Sequence, residues 1–154
     1  MIIGKRLYLR CIDKQDIFKI MHWRNQPHVH ENIFSATFIN SYQQEQWFEK
    51  YAQDPRQESF MIVLKETEEE IGVIGLSYID YKNGSAILNT MIGEKSYWGK
   101  GYATEASKYL INYAFNELNL NRITSFFYDW NEAIVKKNLK LGFKMEGKLR
   151  QMVF

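Results

Sequence analysis

A glycine-rich stretch, YWGKGYATEA at residues 97–106, is the part of the sequence whose residue types point most clearly to chemistry. Gly99 and Gly101 flank Lys100, and the residues that follow have helical spacing. The first N–H groups of a helix lack backbone partners and carry partial positive charge. Glycines let an anion approach such groups without a Cβ in the way. The stretch therefore predicts that the backbone N–H groups of residues 99–104 face a pyrophosphate.

Two better-known phosphate-binding loops do not match this stretch. A Walker A loop needs serine or threonine directly after Gly-Lys, where this chain has Gly101. A dinucleotide-binding fingerprint needs a third glycine three residues later, where Thr104 stands. From the glycines alone, a tight turn that simply starts a helix is an alternative interpretation.

The composition limits the class of protein. A chain of 154 residues with 45% hydrophobic residues predicts a single domain over 1–154. A net charge of +2 does not indicate a nucleic-acid partner. The single cysteine, Cys11, cannot form an internal disulfide and is expected to be a buried thiol, so we expect a cytoplasmic protein. No signal peptide and no membrane segment are expected.

Hydrophobic periodicity predicts an α/β protein with a mixed sheet, in the order β-α-α-β-β-β-α-β-α-β. Asp13 and Ser41 (with Gln44) are predicted helix caps, and Asn83-Gly84 predicts a type I′ hairpin turn. The other predicted helices run from about 103 to 116 and from Asn131 to Leu141. The predicted strands are residues 6–12, 59–65, 70–79, 85–93, 122–128 and 143–149.

Three stretches together resemble the GNAT superfamily of acyl-CoA-dependent N-acetyltransferases: YWGKGYATEA, the following YAFNELNLNRI, and NEAIVKKNLKLGFKMEGKLR. The N-terminal RLYLRCIDKQDIFKIMHWRNQP is similar to the branch that includes ribosomal-protein N-terminal acetyltransferases and spermidine or sugar-nucleotide acetyltransferases. Asn131, eleven residues before Gly142, adds to the resemblance, which covers nearly the whole chain.

The resemblance implies acetyl-CoA as co-substrate and a sheet with splayed central strands. The coenzyme's pantetheine arm would lie in the splay, between the strand that precedes the glycine-rich stretch and the strand over 122–128. Its pyrophosphate would lie on the glycine-rich stretch. The implied coenzyme-binding residues are Met91, Ile92, Gly93, Gly99, Lys100, Gly101, Tyr102, Ala103, Thr104 and Asn131.

The resemblance also implies direct attack of an amine on the thioester, with a strand N–H near Ile92 polarising the carbonyl. Glu94 is the candidate base. Many family members carry a tyrosine acid where this chain has Asn138, so the acid is expected to be Tyr128 or water, or no group serves as acid. Exposed helix lysines such as Lys136 and Lys137 are expected to be solvated, although either could reach the adenosine 3′-phosphate.

The acceptor is expected to be a small-molecule or peptide amine: a protein N-terminus, an amino sugar or a polyamine. Glu31, Phe34 and Tyr78 are the candidate acceptor-binding residues, and no metal is expected. A non-catalytic acyl-CoA-binding or sensing domain of the same fold is the alternative function. Family members usually have a further strand after 143–149. That strand is expected either to be missing, with a homodimer partner covering the open edge, or to lie beyond a clipped sequence.

Overall fold

The computed structural model describes residues 1–34 and 37–150. Two short 3-10 turns, Lys14–Asp16 and Lys95–Tyr97, separate some of its elements. The strands are β1 (Ile2–Ile3), β2 (Leu7–Cys11), β3 (Glu58–Leu64), β4 (Glu70–Asp80), β5 (Ser85–Ile92) and β6 (Arg122–Thr124). The helices are α1 (Ile17–Asn25), α2 (Pro27–His30), α3 (Ser41–Gln53), α4 (Tyr102–Asn116) and α5 (Glu132–Lys140).

The six strands form one mixed sheet in sequence order, β1-β2-β3-β4-β5-β6. The first five strands are antiparallel neighbours, whereas β5 and β6 are parallel and are joined through α4. A parallel pair requires such a crossover connection. The prediction of a mixed α/β fold is therefore confirmed, with β1 as an additional edge strand.

Both faces of the sheet are covered, which explains the continuous apolar run of β3. Phe60, Ile62 and Leu64 belong to the cluster that includes Leu110 of α4. Met61 and Val63 point to the opposite cluster, with Trp23 of α1. A strand buried on both faces has no polar positions to alternate with its apolar ones.

The sheet opens between β5 and β6. Their pairing is limited to three residues on each strand, from Ser85 opposite Arg122 to Ile87 opposite Thr124. β5 continues to Ile92, but residues 125–128 are not in a strand, so the predicted strand over 122–128 is shorter than expected. We call the space between residues 88–92 and residues 125–128 the sheet gap. It is the splay that the family resemblance implies.

The predicted strand over residues 143–149 does not form. Its side chains are mostly exposed, and β6 offers only three residues of edge. Ion pairs hold this segment instead, between Glu146 and Arg122 and between Lys148 and Asp129. A strand needs a neighbour for its backbone hydrogen bonds, and this stretch has none among the described residues. Residues 151–154, part of the expected start of a further strand, lie outside the described residues.

Two local predictions are corrected. The capping box of α3 is formed by Asn40 with Gln43, one residue earlier than predicted. The turn between β4 and β5 spans residues 81–84, and only Gly84 of the predicted pair has positive φ, so it is not a type I′ turn. Asp80 accepts from the backbone N–H groups of residues 82 and 83 and so supports the longer turn.

Cys11 is exposed, not buried as predicted. It is the last residue of β2, whereas Leu7 and Leu9 of the same strand are fully buried. The alternating pattern of the strand therefore ends one step before the cysteine. Among the described residues, no helix combines the length and the hydropathy that crossing a bilayer requires.

Candidate active site

Residues 99–104, which we call the phosphate loop, lead into α4 through two left-handed glycines. Gly99 has φ +73° and Gly101 has φ +82°, and Gly101 is the N-cap residue. No side chain caps the helix. The six backbone N–H groups from Gly99 to Thr104 donate no hydrogen bond to any described residue. A helix start with this many free donors is suited to bind an anion.

The space beside the two glycines is open. A Cβ added at Gly99 would meet no atom within 4 Å, and one at Gly101 would meet only the Arg6 guanidinium at 3.5 Å. Close approach of backbone to a neighbouring part of the fold therefore does not explain either glycine. Their left-handed conformation does, because residues with a Cβ adopt it at a cost.

Arg6 supports the phosphate loop from the side. Its Nη1 donates to the Lys100 carbonyl at 3.0 Å, and its Nε donates to Glu105 Oε2 at 2.7 Å. Its backbone N–H donates to Glu105 Oε1 at 2.8 Å, and its guanidinium lies 4.4 Å from the centre of the Tyr102 ring. These contacts use the loop's carbonyl and side chains and leave its N–H groups free.

Charge around the loop is balanced locally. Burial raises the pKa of Glu105, but the backbone N–H and guanidinium of Arg6 outweigh burial and hold that pKa below its usual value. The carboxylate therefore stays ionised at neutral pH. Lys100 places its ammonium 5.3 Å from the centre of the Tyr97 ring, at the exposed side of the loop.

Alternate residues of β5 direct their backbone groups into the sheet gap. Gly93 N–H donates to the Ile71 carbonyl at 2.9 Å, and Ile92 lies opposite Gly72. In an antiparallel pair, hydrogen-bonded and non-hydrogen-bonded positions alternate. The N–H and C=O groups of Ile92 and Thr90 therefore point away from β4, toward the gap. The Ile92 carbonyl there accepts from Trp98 Nε1 at 2.9 Å.

Gly93, predicted to pair with the coenzyme, already uses both of its backbone groups. Its carbonyl accepts from His28 Nε2 at 3.1 Å, in addition to the bond from its N–H to Ile71. A Cβ on Gly93 would lie 2.1 Å from Cγ of Trp23, so the indole packs directly on this residue. Trp23 Nε1 in turn donates to Glu94 Oε1 at 2.8 Å. The structure thus places Gly93 and Glu94 in contact with α1 and α2.

Asn131 and Tyr128 join the other wall of the gap to the segment after α2. Asn131 Oδ1 accepts from the N–H of Ile134 as the cap of α5, and its Nδ2 donates to Asn32 Oδ1 at 3.1 Å. Tyr128 packs edge-on against Phe34, with ring centres 4.7 Å apart. Its hydroxyl is 3.5 Å from the Ile33 carbonyl. We call residues 26–34 together with residues 128–131 the acceptor region.

The structure does not bring Tyr78 into the acceptor region. Tyr78 has φ +51° and is 72% exposed, near Arg56 and Tyr81 at the end of β4. This position is level with the paired residues Ser85–Ile87 of β5 and therefore away from the gap. Glu31 is exposed at the end of α2, beside the acceptor region. Glu31 and Phe34 thus lie together on one segment of the acceptor region, whereas Tyr78 does not, and their contacts with an acceptor stay a prediction.

Lys137 is not the solvated helix lysine that the sequence predicted. Its Nζ lies 3.4 Å from Thr90 Oγ1 and 3.3 Å from Ser107 Oγ, between β5 and α4. Burial lowers its pKa to about 8. Asn138 beside it is also buried, and neither polar atom of its side chain has a hydrogen-bond partner among the described residues.

Sequence reasoning missed three contributors: Arg6, Trp98 and Lys137. Arg6 and Lys137 reach targets 94 and 47 residues away, so spacing along the chain carries no signal for them. Trp98 reaches the carbonyl of Ile92, six residues before it, through a side chain whose direction the sequence does not show. Among residues 1–34 and 37–150, no three histidine, cysteine, aspartate or glutamate side chains come together as ligands for a metal ion.

Comparison with known proteins agrees with this geometry. A family model described as an acetyltransferase (GNAT) domain matches residues 6–144. The uncharacterized N-acetyltransferase p20 of Bacillus licheniformis is 34% identical over 149 residues, 95% of this chain and 83% of that protein. The putative ribosomal N-acetyltransferase YdaF of Bacillus subtilis is 37% identical over 83 residues, 54% of this chain and 45% of that protein.

A solved structure is similar over almost the same length. The Vibrio cholerae spermidine N-acetyltransferase, in complex with CoA and spermine, has a TM-score of 0.89 and 25% sequence identity, covering 97% of this chain and 87% of that one. The family match includes the phosphate loop, both sides of the sheet gap and the acceptor region. The chain therefore belongs to the GNAT acetyltransferase family and transfers an acetyl group from acetyl-CoA to an amine.

Proposed function

We propose that this enzyme holds the pyrophosphate of acetyl-CoA on the N–H groups of residues 99–104 and threads the pantetheine arm into the sheet gap. The observation that carries the proposal is the run of free N–H groups at the start of α4, beside a strand whose edge is also unpaired. Along the chain, only the turn at residues 93–98 separates these two sets of donors. One extended ligand that carries a phosphate group at one end can therefore contact both sets.

The N–H group of Ile92 is the donor we assign to the thioester carbonyl. It is fixed by the β4–β5 ladder and so needs no reorganisation when negative charge develops on that oxygen. We assign Glu94 the role of base, acting through water, because the Trp23 indole orients its carboxylate at the end of β5. The ammonium group of the acceptor gives a proton to this base. The neutral amine nitrogen of the acceptor then attacks the carbonyl carbon.

The acceptor we propose is the terminal amine of a peptide, as in the ribosomal-protein branch that the sequence resembles. The acceptor region is rich in aromatic rings and side-chain amides, with Phe34 against Tyr128 and Asn32 bonded to Asn131. Its two exposed carboxylates are Glu31 and Asp129, and Lys148 pairs with Asp129. The remaining acid, Glu31, suits a single ammonium on an otherwise neutral chain, and the amides suit a peptide backbone.

A polyamine is the second candidate, because the Vibrio cholerae relative is a spermidine N-acetyltransferase. A polyamine carries several ammonium groups, which favour several carboxylates along the binding surface. The acceptor region supplies two, and one of these, Asp129, is already paired with Lys148.

The test is release of free thiol from acetyl-CoA with a panel of amines. Matched peptides with a free or a blocked N-terminus are compared with spermidine, spermine and an amino sugar. We expect the highest kcat/KM for the free peptides and no turnover with their blocked partners. Faster turnover of spermidine would replace the peptide by the polyamine. CoA binding by calorimetry without turnover of any amine would support the non-catalytic alternative.

A further inference from the structure

Lys137 is half-buried, and its amine contacts two further elements of the fold. Lys137 belongs to α5, and its Nζ donates to Ser107 Oγ of α4 at 3.3 Å and to Thr90 Oγ1 of β5 at 3.4 Å. Ser107 is fully buried, and its hydroxyl lies 3.4 Å from that of Thr90. A lysine seldom gives up water for two neutral hydroxyls unless its amine has a task at that place.

No charged side chain accounts for the state of this amine. Burial lowers the pKa of this amine to about 8, and no charged side chain among the described residues contributes to the shift. The groups that contact it from β5 and α4 are the neutral hydroxyls of Thr90 and Ser107. On its own helix, Lys136 and Glu132 are exposed and pair with each other at 3.6 Å. The amine can therefore gain or lose a proton near neutral pH.

The amine also lies at the sheet gap. Thr90, whose hydroxyl it contacts, is one of the β5 residues that direct their backbone N–H and C=O into the gap. The neighbouring Asn138 has a side chain that cannot act as an acid. Tyr128, the candidate acid from the sequence, directs its hydroxyl toward the Ile33 carbonyl of the acceptor region.

We propose that Lys137 is the catalytic acid that protonates the sulfur of the departing coenzyme, an inference that rests on the proposed placement of the thioester in the sheet gap. As the acceptor nitrogen completes its bond to the carbonyl carbon, its surplus proton passes to water, the carbon–sulfur bond breaks and the electron pair of that bond goes to sulfur. The Lys137 ammonium gives one proton to that sulfur and becomes a neutral amine. It regains a proton from solvent after the free thiol leaves, so the enzyme returns unchanged.

The acidity of the amine suits this role. An ordinary thiol has a pKa of about 8.5, close to the value of about 8 at Lys137. Proton transfer from the ammonium to a thiolate is therefore nearly balanced, and the ammonium predominates at pH 7. An unperturbed lysine, with a pKa of about 10.4, would be a weaker donor.

The first test is the Lys137→Met variant, whose side chain keeps the length and removes the proton. We expect kcat to fall by about 100-fold, the lower end of general acid catalysis, with the Kd for CoA within threefold of wild type. Lys140→Met, an exposed lysine on the same helix, is the matched control and should leave both constants unchanged. A Lys137→Met enzyme with wild-type kcat would overturn the assignment.

The second test separates a proton donor from a fixed positive charge. At saturating substrates, wild-type kcat is expected to fall as the pH rises through about 8, because the ammonium is then lost. Lys137→Arg keeps the charge but cannot donate at these pH values. It should be as slow as Lys137→Met and lack the alkaline decline. Recovery of activity by arginine would identify an electrostatic role and overturn the proton transfer.

A third measurement does not depend on turnover. The free enzyme is labelled with acetic anhydride at several pH values, and modification of Lys137 and Lys140 is followed by mass spectrometry. We expect Lys137 to titrate near pH 8 and to be protected by CoA, with Lys140 unprotected. CoA binding without protection of Lys137 would overturn the inference alone, whereas absence of CoA binding would overturn the proposed function. Stable acetylation of Lys137 by acetyl-CoA would make it an acceptor instead of an acid.

Discussion

The first turns of α3 and α4 treat their unpaired backbone N–H groups in opposite ways. At α3, Asn40 and Gln43 exchange hydrogen bonds between side chain and backbone, so the first turn satisfies its own donors. At α4, Gly101 has no side chain to offer, and six N–H groups remain without a partner among the described residues. A capping side chain stabilises a helix by about 1 kcal/mol, and α4 forgoes this. The difference marks α4 as the helix whose first turn is left for a ligand.

The two starts also differ in what holds them still. The first turn of α3 is fixed from within, by its own cap. The phosphate loop is fixed from outside, by Arg6 on the Lys100 carbonyl and on Glu105. External support keeps the loop in place while its donors stay available, which is the preorganisation that anion binding needs.

The largest expected effect comes from Gly101→Val. A β-branched residue at φ +82° is strained by about 1–3 kcal/mol, so the loop should change shape and CoA should bind about 100-fold more weakly. Calorimetry measures the affinity, and thermal unfolding shows that the fold survives. Gly142→Val, at φ +92° with open space around it, carries similar strain away from the loop and should leave CoA affinity within twofold. Equal losses in both variants would remove the special role of α4.

Arg6→Met should weaken CoA binding by about tenfold, because hydrogen bonds from a charged group contribute about 1.5–3 kcal/mol and part of this supports the loop. The same calorimetric measurement applies. Arg56→Met, which breaks the exposed pair with Asp54 near the end of α3, is the control and should leave the affinity unchanged. An unaltered affinity in Arg6→Met would mean that the loop keeps its shape without external support.

Asn40→Ala should have the converse effect at α3. Loss of the cap is expected to lower the free energy of unfolding by about 1 kcal/mol, measured by urea denaturation, while CoA affinity stays as in wild type. Gly101→Ala, at the uncapped start of α4, should instead reduce the affinity for CoA more than it reduces the free energy of unfolding. If Asn40→Ala weakened CoA binding as well, the two helix starts would not be independent.

The smallest expected effect is on the pH dependence of stability. The lowered pKa of Glu105 means that its contribution is fully present above the usual carboxyl value of 4.5 and is lost as the pH falls through the lower folded value. The stability gap between wild type and Glu105→Gln, measured by urea unfolding, should therefore be constant near neutral pH and close in acid. A gap that widens in acid would contradict the lowered pKa.

The sequence was most informative where function depends on the local chain. The two glycines, the helix after them and the mixed sheet all follow from short-range spacing, and the structure has them at the predicted places. Gly142, directly after α5, has φ +92° and is left-handed, as a glycine at the end of a helix commonly is. These features are set by backbone conformation and periodicity, which neighbouring residues determine.

The sequence was least informative where long side chains or sheet edges decide. An alternating pattern predicts a strand at residues 143–149, but only a neighbouring strand can make one, and that depends on the whole fold. The burial of Lys137 depends on Thr90, 47 residues away, and Ser107, 30 residues away. Tyr78 lies outside the predicted site, near the end of β4, where its backbone is left-handed.

The one-sided pairing of β5 has a consequence for the exchange of its amide hydrogens with solvent. Asn89 and Met91, bonded to β4, should exchange their amide hydrogens with deuterated solvent slowly at all times. Thr90 and Ile92, between them, should exchange rapidly in the free enzyme and slow down when coenzyme occupies the open edge. Fast and slow amides would then alternate along this one strand in the free enzyme. Bound coenzyme would pair with the open edge of the sheet, and the difference in exchange rates would disappear.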